Sequence, residues 1–287
     1  MSPRIYKHCS NVRGENVPIY RALSFMIPLV AALLPLTGVQ SASARELRVC
    51  ADQNNLPFSK RDGSGFENRI ANIIAAKLGA SVQYTWHAQR RGFIRTTLNA
   101  GLCDVVMGVP SSIHVLRPTR PYYRSSYAFV QRADAKPVTS FDDPRLKTLR
   151  IGVQLIGNDG VNTPPAHDLA RRGIVENVRG YLVQNDYSEK EPLAPIIEAV
   201  AKGDIDVAIA WGPTAGYFAA RQPVPLKVTP IAFDPTALDL ALTYDISMGV
   251  RKDDLALLDE LNQAIADRKD QIDAVLASYS VPNVAHK

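Results

Sequence analysis

The sequence predicts an α/β protein of two doubly wound lobes that are joined by a two-strand hinge. Short apolar strands alternate with amphipathic helices from residue 45 onward. The order strand, helix, strand, helix, strand occurs twice at similar spacing, which implies a mostly parallel sheet with right-handed crossovers. Two extended segments, 127–131 and 245–250, connect the repeats. Because the chain crosses twice between the lobes, we expect a hinge with a cleft beside it.

The first lobe is predicted to contain three strands and two helices. Alternating apolar residues indicate strands, and apolar residues three or four positions apart indicate helices. A glycine follows each helical pattern, as is common at helix C-termini. The expected elements are a strand over 47–51, a helix from Gly65 to Gly79, a strand over 82–86, a helical face over 93–98 closed by Gly101, and a strand over 105–109.

The second lobe repeats this plan before the chain returns to the first. The expected elements are a strand over 149–153, a helix that begins at Pro164, a strand over 181–183, a helix over 193–200 ended by Gly203, and a strand over 205–210. A last helix is expected from the spacing of Leu255, Leu258, Leu261 and Ile265. We therefore assign residues 45–131 plus 231–287 to the first lobe and residues 132–230 to the second.

Residues 1–44 have the pattern of a secretory signal peptide. Arg21 precedes an apolar run of about 15 residues, and Ala42-Ser43-Ala44 offers an A-x-A cleavage site. This run is shorter than the roughly 20 residues of a membrane-spanning helix, and prolines interrupt it. A membrane anchor is the alternative interpretation. We expect a periplasmic protein with no membrane span after signal cleavage.

Charge and motifs point away from nucleic acid and from catalysis. The net charge is +5, but much of it belongs to residues 1–44, and basic and acidic residues are interleaved elsewhere. The sequence contains no nucleophile elbow, P-loop, dinucleotide-binding glycine motif or metalloprotease motif. The histidines after the signal segment lack metal-ligand spacing. We therefore expect no nucleic-acid partner, no metal, no cofactor, no catalytic residue and no enzymatic activity.

Cys50 and Cys103 form an even pair in a chain expected to enter an oxidising compartment. Both are placed on predicted strands of one sheet. A disulfide between them and two buried, reduced cysteines are both compatible with the sequence, because strand register decides between them.

Polar loops follow several predicted strands, at the edge where open α/β sheets bind ligands. Each loop alone is also compatible with a solvated turn, but together they predict a cleft. For Arg90 and Arg91 the alternative is surface salt bridging, and for Trp211 it is packing in the core against Tyr217 and Phe218. The candidate cleft or partner-binding residues are Asp52, Asn54, Asn55, Pro57, Phe58, Arg90, Arg91, Ser111, Ser112, Tyr122, Gly157, Asn158, Asp159 and Trp211.

The strings CADQNNLPFS, GFEN, QRRGF, TLNAGLCDVVMGVP and PYYRSSYAFV resemble a branch of the type II periplasmic solute-binding proteins. This branch is the MxaJ and XoxJ family of methanol oxidation systems, and the resemblance covers roughly residues 47–282. It implies the bilobed type II periplasmic-binding-protein fold. It also implies a partner, a PQQ-dependent methanol or alcohol dehydrogenase of the XoxF or MxaF type, whose maturation or activation the protein would assist.

Two positions depart from the amino-acid receptors of the same fold. Those receptors place an Arg where this chain has Ser112, and an Asp where the strand of the second lobe ends at Trp211. Without these charges a zwitterionic ligand would lose both of its ion-pair partners. We therefore expect no amino-acid capture. The resemblance implies an accessory protein that binds the dehydrogenase, with a small-molecule or peptide ligand in the cleft. The alternative is a transporter receptor for a solute that is not an amino acid.

Overall fold

The computed structural model describes residues 45–157, 162–183, 187–232 and 241–284. The predicted signal peptide lies outside the described residues, and so do Asn158 and Asp159 of the predicted cleft. The described strands are β1 (Arg45–Ala51), β2 (Asn54–Asn55), β3 (Ser59–Lys60), β4 (Ala80–Trp86), β5 (Val105–Pro110), β6 (Arg117–Pro118), β7 (Tyr123–Arg132), β8 (Ile151–Leu155), β9 (Val178–Leu182), β10 (Val207–Trp211), β11 (Leu226–Pro230) and β12 (Thr243–Val250). The described α-helices are α1 (Phe66–Lys77), α2 (Phe93–Thr96), α3 (Pro164–Arg171), α4 (Pro195–Lys202), α5 (Gly212–Ala219), α6 (Leu255–Asp267) and α7 (Lys269–Ser278).

A mixed sheet runs through the described chain in the order β4-β1-β5-β12-β7-β10-β8-β9, and β6 and β11 pair with β12 and β7. Strands β4, β1 and β5 are parallel, and so are β10, β8 and β9. The antiparallel strands β12 and β7 stand between these two parallel groups. This order is the α/β arrangement that the repeated strand–helix pattern predicts.

Strand β7 pairs with β12 along one part of its length and with β10 along the other. Its residues 123–126 pair with β12, and its residues 127–130 pair with β10. The two extended segments predicted to connect the repeats therefore fall on β7 and β12. The lobe boundaries drawn from the sequence remain a prediction.

Helix α1 shows why these residues form these elements. Gly65 is its N-cap, and Phe66, Ile70 and Ile74 lie one turn apart on the face that packs into the core. Each of these three side chains is at most 1% exposed, and burial of such a side chain contributes about 1.5–3 kcal/mol. The helix therefore holds its N-terminus, with Glu67, firmly against the sheet.

Some elements differ from the sequence prediction. Helix α2 ends at Thr96, because Thr97 leaves helical geometry with φ −123° and ψ −78°. Helix α5 was not predicted, since all its residues are buried and it presents no polar face to give a periodic signal. The predicted last helix is α6, whereas strand β11 and helix α7, which follows α6 after Arg268, were not predicted.

Cys50 and Cys103 are joined by a disulfide with a Cα–Cα distance of 5.5 Å. Cys50 lies on β1, while Cys103 lies just before the neighbouring strand β5 rather than on it. Both residues are at most 2% exposed and pack with Phe93, Leu98 and Val106 in a small cluster. The bond therefore ties β1 to the segment that leads into β5.

Candidate functional site

A cleft of about 380 Å³ opens between the two parallel groups of strands. Its volume is at the lower end of the range of small-molecule sites. Three aromatic side chains line it, Phe58, Tyr127 and Trp211. Carboxamides also line it, from Asn55, Gln89 and Gln154. The sequence predicted Asn55, Phe58 and Trp211 for a cleft, and the structure brings these three together.

The loop of CADQNNLPFS is organised by Asp52, which is 1% exposed. Its carboxylate accepts hydrogen bonds from the backbone N–H groups of Asn54 at 2.9 Å and Gln89 at 2.8 Å. The Ser59 hydroxyl donates to the backbone carbonyl of Asp52 at 2.7 Å. Asp52 therefore shapes the rim of the cleft rather than pointing into it.

Two hydrogen bonds join this loop to the segment around Tyr187. The Tyr187 hydroxyl donates to the Asp52 carboxylate at 3.1 Å, and the Asn54 side-chain amide donates to the Glu189 carbonyl at 2.8 Å. Partial burial raises the pKa of Tyr187 to about 12, and the charge of Asp52 adds to this rise. These contacts connect the two sides of the cleft in the conformation seen here.

Phe58 and Trp211 are both half-buried aromatic residues of the cleft. Phe58 packs on Phe66 with ring centroids 5.4 Å apart, and it follows a cis peptide bond at Leu56–Pro57. Trp211 packs edge-on against Tyr127 at 5.3 Å and against Tyr244 at 5.8 Å, and it also lies against the core cluster that contains Tyr217 and Phe218. Pro57 itself is buried.

Glu67 is a cleft residue that sequence reasoning missed. It lies in the first turn of α1, where its backbone N–H donates to the Phe58 carbonyl at 2.9 Å. Gly65 permits this approach, since a Cβ at that position would lie 2.1 Å from the same carbonyl oxygen. The Glu67 side chain is 9% exposed and faces the cleft. Burial raises its pKa from an ordinary carboxyl value to about 8.

Gly108 makes room for the Glu67 carboxyl. A Cβ at this position would lie 2.1 Å from Glu67 Oε1, and the glycine has φ +68°, which favours residues without a side chain. The signal for Glu67 was thus divided between two strings, GFEN and VVMGVP, which lie on α1 and β5. Neither string alone indicates that the Glu67 carboxyl group on α1 packs against Gly108 on β5.

The remaining predicted residues do not line this cleft. Tyr122 is 0% exposed and lies in the core, where burial raises its pKa well above the ordinary value. Ser111 bonds Ser247 at 2.6 Å and belongs to the contact between β5 and β12. Arg90, Arg91 and Ser112 are exposed outside the lining, and Gly157 is partly exposed next to the residues that the structure leaves undescribed.

The described ranges contain no group of three or more His, Cys, Asp or Glu side chains that could hold a metal ion. They also contain no helix long and apolar enough to cross a membrane. Among the described residues that line the cleft, Glu67 is the only acidic residue, and none is Lys, Arg or His. A ligand that carries a carboxylate would therefore find no cationic side chain in this lining.

Known proteins resemble the chain over nearly all of its described length. Protein MoxJ of Methylorubrum extorquens is 35% identical over 83% of this chain and 82% of its own, and protein MoxJ of Paracoccus denitrificans is 32% identical over 88% and 94%.

Solved structures agree with this relationship and with the predicted fold. The periplasmic binding protein XoxJ from Methylobacterium extorquens AM1 is 38% identical, with a TM-score of 0.68 over 84% of this chain and 100% of its own. MxaJ from Methlophaga aminisulfidivorans MPT is 27% identical, with a TM-score of 0.72 over 83% and 100%. The predicted bilobed fold and the resemblance to MxaJ and XoxJ are thereby confirmed. Residues 47–280 match the model of the bacterial extracellular solute-binding proteins, family 3, and the chain belongs to that family.

Proposed function

We propose that the protein is a non-enzymatic periplasmic accessory protein that binds a PQQ-dependent methanol or alcohol dehydrogenase and assists its maturation or activation. The observation that carries this proposal is the similarity to MoxJ and XoxJ, which extends over more than four-fifths of the chain. The localisation follows from the signal peptide predicted for residues 1–44, which a periplasmic protein requires.

The cleft supports a role other than amino-acid capture. Trp211 stands where amino-acid receptors of this fold use an Asp, and it fills that part of the wall with an aromatic ring. The described lining offers an amino acid no basic partner for its carboxylate. It also suits poorly the dehydrogenase's own cofactor, since PQQ is a polycarboxylate and the lining places the Glu67 carboxyl against it.

Binding to purified dehydrogenase tests the proposal directly. We expect the mature protein to bind the apo or the holo enzyme, measured by biolayer interferometry with the dehydrogenase immobilised. Trp211→Ala should weaken binding by tenfold or more if the cleft rim is the contact, because buried tryptophans dominate interface energies. The exposed Glu46→Gln is the matched control and should bind as the wild type does. Absence of binding to both enzyme forms would contradict the proposal.

A transporter receptor for a solute that is not an amino acid is the second candidate. The observation in its favour is the cleft of about 380 Å³, large enough for a small ligand. A thermal-shift screen of solutes tests it, because a ligand that binds only the folded state raises the melting temperature. A submicromolar solute together with no affinity for the dehydrogenase would favour this candidate over the accessory role.

A further inference from the structure

Glu67 is a buried acidic side chain without a counter-charge. Its exposure is 9%, and no hydrogen bond or ion pair from another described residue reaches its carboxyl group. Buried carboxyl groups of this kind are normally paired or hydrogen-bonded, because desolvation of the charged form is costly. A single unpaired carboxyl in the wall of a cleft therefore indicates that something else completes it.

The titratable neighbours of Glu67 supply no counter-charge. The nearby titratable groups are Tyr84 on β4, Tyr122 just before β7 and Tyr123 on β7. Burial raises the pKa of each tyrosine, and the charge of Glu67 adds to the rise. None of these tyrosines contributes a positive charge. On the β5 side Gly108 offers only backbone. The open side of the carboxyl is the cleft.

The lining restricts what the missing partner can be. One carboxylate is too few ligands for a tightly held metal ion, which needs several. An anion would be repelled, and an uncharged apolar ligand would leave the carboxyl unsatisfied. A protonated nitrogen suits the acidic, the carboxamide and the aromatic groups of the lining. It can donate hydrogen bonds to Glu67 and to the carboxamide oxygen of Asn55, and it is attracted to the ring faces of Phe58 and Trp211.

We propose that the cleft binds a protonated amine or guanidinium group, held by the Glu67 carboxylate between the aromatic residues of the two walls. The group belongs either to a small organic cation or to a Lys or Arg side chain that the partner protein inserts. The site is defined on this chain alone, so it does not depend on the accessory role proposed above.

Proton linkage gives this site a distinctive signature. With a pKa of about 8, the empty Glu67 is protonated near neutral pH, whereas the cation requires the carboxylate. Binding must therefore release a proton below pH 8, and affinity should rise about tenfold per pH unit up to that point and level off above it. Tyr84, Tyr122 and Tyr123 stay protonated throughout this range, so the slope belongs to Glu67.

The test uses n-butylammonium chloride as probe and isothermal titration calorimetry of the mature protein between pH 6 and 9. An alkylammonium stays protonated over this range. We expect saturable binding, proton release at pH 6.5 seen as a dependence on buffer ionisation enthalpy, and no comparable binding of n-butanol or butyrate. Glu67→Gln should weaken binding about ten- to hundredfold and abolish the pH slope, while Glu46→Gln should change neither.

A second arm identifies the source of the cation and does not rely on the probe. Affinity for the dehydrogenase is compared between the wild type and Glu67→Gln at pH 6.5 and 8. Loss of affinity with the same pH slope assigns the cation to a side chain of the partner, even if butylammonium does not bind. If Glu67→Gln alters neither amine binding nor dehydrogenase binding, or if butyrate binds as well as the amine, the proposal is overturned. Because proton release is measured on the wild type, poor folding of the variant does not decide the outcome.

Discussion

Replacing Gly108 by alanine tests the packing that places Glu67 in the cleft. Two costs are expected. The first is backbone strain, since φ is +68° and an L-residue is destabilised there by about 1–2 kcal/mol. The second is steric, because the new Cβ would lie 2.1 Å from Glu67 Oε1, and a buried side chain forced from its position costs about 1–3 kcal/mol. Together they predict a loss of about 2–5 kcal/mol of unfolding free energy.

Gly63→Ala is the matched control for the backbone term. Gly63 has φ +79°, and a Cβ added there would meet nothing within 4 Å, so only the strain remains. Urea unfolding followed by circular dichroism should show a larger loss for Gly108→Ala than for Gly63→Ala, by at least about 1 kcal/mol. In a Glu67→Ala background this excess should disappear, which gives a coupling energy between the two positions. Equal losses at both glycines, or additive effects of Gly108→Ala and Glu67→Ala, would refute the proposed contact.

Reducing the Cys50–Cys103 disulfide, or replacing both cysteines by serine, should lower the unfolding free energy by about 2–5 kcal/mol. The loss is measured as a lower melting temperature, and an unchanged melting temperature would contradict the prediction. Tyr187→Phe removes the hydrogen bond from the Tyr187 hydroxyl to Asp52, so hydrogen exchange of the backbone amides around Asp52 should accelerate. The unfolding free energy should fall by only about 0.5–1.5 kcal/mol. Unchanged exchange would contradict the stabilisation of this loop by Tyr187. Because the pKa of Glu67 in the folded state is raised to about 8, the folded state holds a proton that the unfolded state releases. The unfolding free energy should therefore fall by up to about 1.4 kcal/mol per pH unit between pH 5 and 8. Glu67→Gln should lack this fall, and identical pH profiles of the two proteins would contradict the prediction.

The fold was largely predictable because its signals are local. The strand around Val49 and the helix face of Ile70 and Ile74 show their periods in short windows. Helix α5 escaped prediction for the opposite reason, since a fully buried helix such as Gly212–Ala219 has no polar face to mark its period.

The site was predictable only in part, because its key contact joins distant positions. Phe58 and Trp211 were found by their place at the ends of strands, where ligands bind in such sheets. In the sequence Glu67 belongs to the opening of a helix, and its place in the cleft depends on Gly108 in another element. Tyr122 was expected at the cleft but lies in the core, because the polar tip of a tyrosine does not reveal from sequence whether its ring is covered.

Binding between the purified mature protein and a PQQ-dependent methanol or alcohol dehydrogenase, the proposed partner, is the most direct test of the central claim. Biolayer interferometry against the apo and the holo enzyme should give saturable binding to at least one of them, and Trp211→Ala should weaken it by tenfold or more while Glu46→Gln leaves it unchanged. If neither form of the enzyme binds at protein concentrations up to about 100 μM, the accessory role is contradicted.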